Sequence, residues 1–132
     1  MQVDIHLPEE LLMVPMDPLL MEQVLLNLLE NSALHGKNLD TIMVSLRQNK
    51  NMAEFVVEDN GAGIAPDKIK NLFSGAVHSS RQSDSRRNMG IGLSVCRTIV
   101  QAHGGTIKGE NREAGGARFT VTLPMEEEND ED

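Results

Sequence analysis

Tryptophan and tyrosine are missing from this chain of 132 residues, and phenylalanine occurs only three times. A core without aromatics has to be built from Leu, Ile, Val and Met, and eight Met residues are available for it. Met also suits an adaptable groove, an alternative that composition leaves open. One cysteine, Cys96, excludes an internal disulfide framework and fits a reducing compartment. It reads as a small buried hydrophobe on a helix. No stretch approaches the run of about 18 apolar residues that a membrane span needs. No basic-then-apolar leader opens the chain either, so a cytoplasmic protein without membrane contact is expected. Basic residues are also in short supply, 12 Lys and Arg against 20 Asp and Glu for a net charge of −8. That balance argues against non-specific binding of nucleic acid.

What is present is the material of one domain, with an apolar fraction of 39% that excludes disorder throughout. The acidic excess is concentrated in Glu126, Glu127, Glu128, Asp130, Glu131 and Asp132. Residues 125–132 therefore read as a solvated, disordered tail behind a domain spanning residues 1–124.

Val3 to Leu7 alternates apolar and polar residues and predicts a half-buried strand ended by Pro8. A short extended piece is expected at Leu11 to Val14. Asp17-Pro18 is a helix start, and Met21, Val24, Leu25, Leu28 and Leu29 give that helix one apolar face before Gly36 stops it. Thr41 to Arg47 and Ala53 to Glu58 predict two strands around a polar turn. A glycine-containing loop from Asp59 to Ala65 leads to a short helix opened by Pro66. Ser74 to Asn88 is polar and without periodicity, and reads as a long mobile loop. Gly90-Ile91-Gly92 opens another helix with the stripe Ile91, Val95, Ile99 and Ala102, and Gly104-Gly105 ends it. Thr106 to Lys108 and Ala117 to Leu123 form a closing hairpin. This order predicts an α/β (α+β) two-layer sandwich, with helices stacked on one face of a mixed sheet.

Three segments carry chemistry. Asn27 and Asn31 lie one helical turn apart and present two amides to the same side, which suits a hydrated magnesium ion or an exposed helix surface. Asp59-Asn60-Gly61-Ala62-Gly63 follows an apolar strand. A carboxylate there can accept from the exocyclic amine of a base while the glycines let backbone approach a planar ring, or the segment is a plain Asn-Gly turn. Gly90-Ile91-Gly92-Leu93 at a helix start offers backbone N–H groups to phosphate oxygens, although glycine also permits tight packing. It matches neither a Walker A loop nor a dinucleotide fingerprint.

In this order and spacing the segments resemble the boxes of sensor histidine kinases. "QVLLNLLENSALHG" is similar to the N box, "DNGAGI" to the G1 box and "GIGLSVC" to the G2 box, with Phe73 where an F box falls. "NLLEN" and "NREAGGARFTVTLP" look most like the Kdp-type potassium-sensor kinases. The resemblance implies the Bergerat fold shared with gyrase, Hsp90 and MutL ATPases. It further implies that Asn31 takes magnesium with support from Asn27, and that Asp59 reads the adenine amino group. Gly61, Gly63 and Ile64 would shape the base pocket, with His35 and Phe73 lining the nucleotide. Gly90, Ile91, Gly92 and Leu93 would hold phosphates under an ATP lid at Ser74 to Met89. Arg86 in that lid would reach the γ-phosphate, with Arg81 and Arg87 as competitors for the role.

Relatives that hydrolyse ATP typically carry Glu four residues before the metal-binding Asn. Here that position is Asn27, an amide that cannot act as a base towards water, whereas Glu30 nearby is able to assist a nucleophile. The implied function is therefore transfer of the γ-phosphate of magnesium-ATP to a histidine on a partner dimerisation domain, with a response regulator downstream. His6, His35, His78 and His103 do not lie on an acceptor hairpin, so the chain alone should not autophosphorylate and should be monomeric. Rival readings are an anti-sigma-like binding module that uses ATP as a switch, a non-catalytic nucleotide sensor, and a hydrolytic ATPase.

Overall fold

The computed structural model describes residues 2–8, 14–35, 41–73 and 84–125, with the backbone alone for 32–35 and 84–92. In chain order the elements are β1 (Gln2–His6), α1 (Pro18–His35), β2 (Thr41–Asn49), β3 (Met52–Asp59), α2 (Pro66–Ile69), α3 (Asp84–Ala102), β4 (Thr106–Asn111) and β5 (Ala117–Pro124). The strands form one sheet in the order β1-β2-β3-β5-β4. β1 runs parallel to β2 and the other neighbours are antiparallel, so the expected mixed sheet is found.

Strand alternation explains which face is covered. Ala53 and Val57 on β3, Phe119, Val121 and Leu123 on β5, and Ile42 on β2 are all buried. They meet Met21, Val24 and Leu28 of α1 and Leu93, Cys96, Ile99 and Val100 of α3, largely within one core. Leu25 and Leu29 pack against its margin, so the apolar face expected for α1 is the buried one. Phe73 meets Phe119 edge to face at 6.3 Å.

The alternate positions of the same strands line an open groove of about 490 Å³, among them Ser45, Glu54, Val56, Thr120 and Lys108. Arg47 bonds Glu54 there at 2.7 Å, which holds the Glu54 carboxyl below its ordinary range. This polar groove lies on the sheet face away from the helices and holds none of the residues singled out for chemistry.

Four expectations change. β1 is an exposed edge strand rather than a half-buried one: Val3 and Ile5 are 51% and 62% exposed beside Ile42 and Val44 of β2. The buried stripe of α3 is Leu93, Cys96, Ile99 and Val100, while Val95 is exposed and Ala102 faces solvent. The sequence offers two adjacent stripes at helical spacing, and the one opposite Val24 and Leu28 is buried. α3 begins at Asp84, not at Gly90, so a polar segment without periodicity is helical there. The strands also run longer than expected, because polar ends such as Gln48-Asn49 and Gly109 to Asn111 still pair across the ladder. Leu11 to Met13, Gly36 and 74–83 lie outside the described residues, and Val14 is not in a strand.

The helix ends follow local chemistry. Asp17 Oδ1 accepts from the N–H groups of Leu19 and Leu20 at 3.0 and 3.2 Å, and Pro18 occupies the first turn. At the far end of α3 the Gly105 N–H reaches Val100 O and the Gly104 N–H reaches Gln101 O, both at 3.0 Å. His103 then joins the two helices. Its Nδ1 lies 2.8 Å from Ile99 O, and its Nε2 accepts the Asp17 N–H at 3.0 Å. The ring thus accepts from the start of one helix through Nε2 while its Nδ1 faces a carbonyl of the other.

Two outcomes follow from this packing. Asp17→Ala removes the cap on α1 and should lower stability by about 1 kcal/mol, read as a shift of the urea midpoint at unchanged slope; no shift would mean that water satisfies the same donors. Burial pushes the Cys96 thiol up from 9.0 to about 11. Native protein should resist alkylation at neutral pH and react only on unfolding. Because the unfolded thiol ionises first, stability should fall as pH rises from 9.0 towards about 11, and Cys96→Ala should flatten that fall.

Candidate functional site

Asp59 is the last residue of β3, on the helix-facing side of the sheet, and only 4% of it is exposed. A carboxylate so buried needs donors. Its Oδ1 accepts from the Gly61 N–H at 2.9 Å and from the Ala117 N–H at 3.2 Å. One donor belongs to the loop that follows and the other to β5, so the plane of the carboxylate is set by two separate segments.

The backbone around it is braced as well. Arg112 Nη1 donates to Asp59 O at 2.7 Å, while its Nε lies 3.4 Å from Glu58 Oε1. Asn60 forms a two-way pair with Thr41 at the start of β2: its side-chain oxygen accepts the Thr41 N–H at 3.0 Å, and its N–H reaches Thr41 O at 3.3 Å. Gly116, at φ +93, sits so close that a Cβ would come within 1.9 Å of Asp59 O. The β4–β5 turn thus packs directly behind the Asp59 peptide.

From Gly61 the chain runs through Gly63 to Ile64, which leans on the core. Ile64 is held by Asn111 through both of its backbone polar groups, at 2.6 Å to its N–H and 2.9 Å to its carbonyl. Asp59, Gly61, Gly63 and Ile64 therefore belong to one braced loop.

On α1, Asn27 and Asn31 are half-buried and Glu30 is exposed. Asn27 is turned towards α3. Its Oδ1 accepts from Gln23 Nε2 at 3.1 Å, and its side chain hydrogen-bonds the Cys96 thiol, which itself reaches Val24 O at 3.6 Å. Leu93 is buried at 5% exposure, so its side chain belongs to the core. The Phe73 ring packs on Phe119 within the hydrophobic margin. Gly90, Ile91 and Gly92 lie inside α3, beyond its first four residues, where backbone N–H groups bond within the helix. His35 ends α1 and Arg86 lies in the first turn of α3, and the side chains of both fall outside the described residues.

The oxygen donors on α1 suit a cation held mainly by other ligands. Among the described residues no three of His, Cys, Asp and Glu gather at one point. Amide oxygens of Asn27 and Asn31 are the donors on the predicted face, that of Asn27 already accepting from Gln23, so a magnesium ion there would need phosphate oxygens and water as its other ligands. Sequence reasoning gave no role to Asn60, Asn111, Arg112 or Ala117, although all four lie in segments it singled out. The polar pair Asn111-Arg112 before Gly115-Gly116 resembles any hairpin turn, and its partners lie 47 and 53 residues away.

The chain matches the family model described as Histidine kinase-, DNA gyrase B-, and HSP90-like ATPase over residues 16–127. It is 39% identical over 126 residues to the sensor protein KdpD of Clostridium acetobutylicum, covering 95% of this chain and 14% of that protein. To the adaptive-response sensory kinase SasA of Prochlorococcus marinus it is 36% identical, covering 94% of this chain and 34% of the relative. The chain thus spans a minor part of these relatives. Among solved structures it superposes on the nucleotide-free catalytic domain of histidine kinase ThkA with a TM-score of 0.74 at 29% identity, covering 93% of this chain and 78% of that one. Full-length ShkA in complex with AMPPNP gives a TM-score of 0.77 at 22% identity, covering 94% and 25%, a likeness of fold alone.

Proposed function

The chain belongs to the family of histidine kinase-, DNA gyrase B- and HSP90-like ATPases, and from that premise we propose that it binds magnesium-ATP and donates the γ-phosphate to a histidine on a partner dimerisation domain. The observation that carries the nucleotide reading is Asp59: a buried carboxylate at a strand end, fixed by two backbone donors beside a glycine loop. A fixed acceptor of this kind selects a base with an exocyclic amine, because a keto group there would leave the carboxylate facing another acceptor.

Gly61, Gly63 and Ile64 would form the wall against which the base lies, with Phe73 supporting it from the core. Asn31 would hold magnesium, which when bound neutralises phosphate charge, and Asn27 would orient beside it through Gln23 and Cys96. Gly90, Ile91, Gly92 and Leu93 would meet phosphates through their backbone, which requires the early turns of α3 to open around the nucleotide. Arg86 would supply positive charge to the transferring group, and His35 would close the pocket from the end of α1.

Transfer is favoured over hydrolysis by the amide at Asn27, which offers no base to a water molecule. Glu30, exposed on the same helix, is the carboxylate left to assist a nucleophile. The acceptor histidine would lie elsewhere: His6 ends β1 and His103 is engaged between two helices. The longer protein would be a two-component sensor of the Kdp type with a response regulator downstream, and this part of it would work on the cytoplasmic side. Among the described residues no helix is long and apolar enough to cross a membrane.

Calorimetric titration of ATP, with and without magnesium, tests the reading. Wild type should bind in a magnesium-dependent way, and Asn31→Ala should weaken binding by about tenfold or more. Asp59→Asn should lose the preference for ATP over GTP. A wild type that binds no ATP, or an Asp59→Asn variant that keeps the preference, would overturn it. With a supplied dimerisation domain, radiolabel from γ-labelled ATP should move to that domain; binding without transfer would favour a nucleotide sensor instead.

A further inference from the structure

We propose that Asn111 is a positioning residue for base recognition, holding the Gly61 to Ile64 loop at a fixed distance from Asp59. The inference rests on the reading of Asp59 as the residue that meets the base.

Asn111 closes β4 on the same side of the strand as Ile107 and Gly109. Its Oδ1 accepts the Ile64 N–H at 2.6 Å and its Nδ2 donates to Ile64 O at 2.9 Å. A primary amide matched in this way to one residue reproduces both bonds of a hydrogen-bonded antiparallel pair. Few side chains can do this. An ionised Asp offers no donor, Ser offers a single oxygen, and Gln carries its amide one carbon further out. Gly63, next to the clamped residue, has φ +86, and a Cβ on it would come within 2.7 Å of Asn111 Oδ1. Clamp and loop are therefore fitted to each other at van der Waals range.

The same hairpin holds the other end of the loop. Arg112 donates to Asp59 O, the Ala117 N–H donates to Asp59 Oδ1, and Gly116 presses on the Asp59 carbonyl. Asp59 and Ile64 are thus both referred to one rigid turn, and the span between them is set by the length of the Asn111 side chain. A ring bound between them meets groups that need no further ordering. Asn111 is exposed and absent from the hydrophobic core, so its bonds to Ile64 restrain the loop and not the packing of the sheet.

The test is titration of ATP and of GTP, each with magnesium, into the 132-residue chain as wild type, Asn111→Ala, Asn111→Asp and Asp59→Asn. Both Asn111 variants should bind ATP about fivefold or more weakly, with GTP affected less, so that the ATP-to-GTP ratio narrows. Their melting temperatures should stay within about 4 °C of wild type. Unchanged ATP affinity and ratio in both variants, with Asp59→Asn losing discrimination, would overturn the role of Asn111 and leave the base reading intact. Discrimination that survives in Asp59→Asn would overturn the base reading itself, and this inference with it. Should the variants fail to fold, amide exchange on wild type decides the matter. The Ile64 N–H should be protected like the β4–β5 ladder, and exchange at the rate of an open loop would overturn the clamp.

Discussion

Burying a carboxylate is costly unless donors meet it, and the geometry at the end of β3 answers that constraint. Asp59 takes one N–H from its own loop and one from β5, its carbonyl takes the Arg112 guanidinium, and Gly116 leaves room for both peptides to touch. Each of these contacts comes from a different segment, so together they fix both the side chain and the backbone of Asp59. The pairing of β3 with β5, the turn that follows β4 and the course of the loop towards α2 all meet at this residue.

How far the sequence disclosed this depends on whether a residue acts locally. Asp17-Pro18 announced α1 because a cap and a fixed φ act within one turn, and the helix starts there with its apolar face inward. The Asp59 loop was legible as a turn, because Gly61 and Gly63 follow directly on the apolar run of β3. The phase of α3 was not. Val95 and Cys96 are adjacent, both apolar, and only packing against Val24 chooses between them. Nor could Val3 and Ile5 disclose that no helix among the described residues covers them, since alternation reports a pleat and not what lies above it. Asn111, Arg112 and Ala117 act on partners far along the chain, where no local pattern records them.

The two halves of the candidate site are held in different ways. The Asp59 loop is fixed by backbone and by the β4–β5 hairpin, independent of any ligand. On α1 the amide of Asn27 is oriented through neighbouring side chains, linked to Gln23 and, across the helix interface, to Cys96. The amide of Asn27 offers no base to a water molecule, whatever the fold around it.

The strand order also governs how the molecule assembles. β2 and β3 form a hairpin that closes quickly, but the next neighbour of β3 is β5, and the Ala117 N–H that reaches Asp59 comes from 58 residues further on. Closing so long a loop costs more chain entropy than closing the β2–β3 hairpin, and α3 lies within it. The Ala117 bond to Asp59 and the Asn111 clamp on Ile64 both depend on that closure. A partly folded chain therefore lacks the geometry described here, and any molecule that fits it can stabilise only the finished sheet.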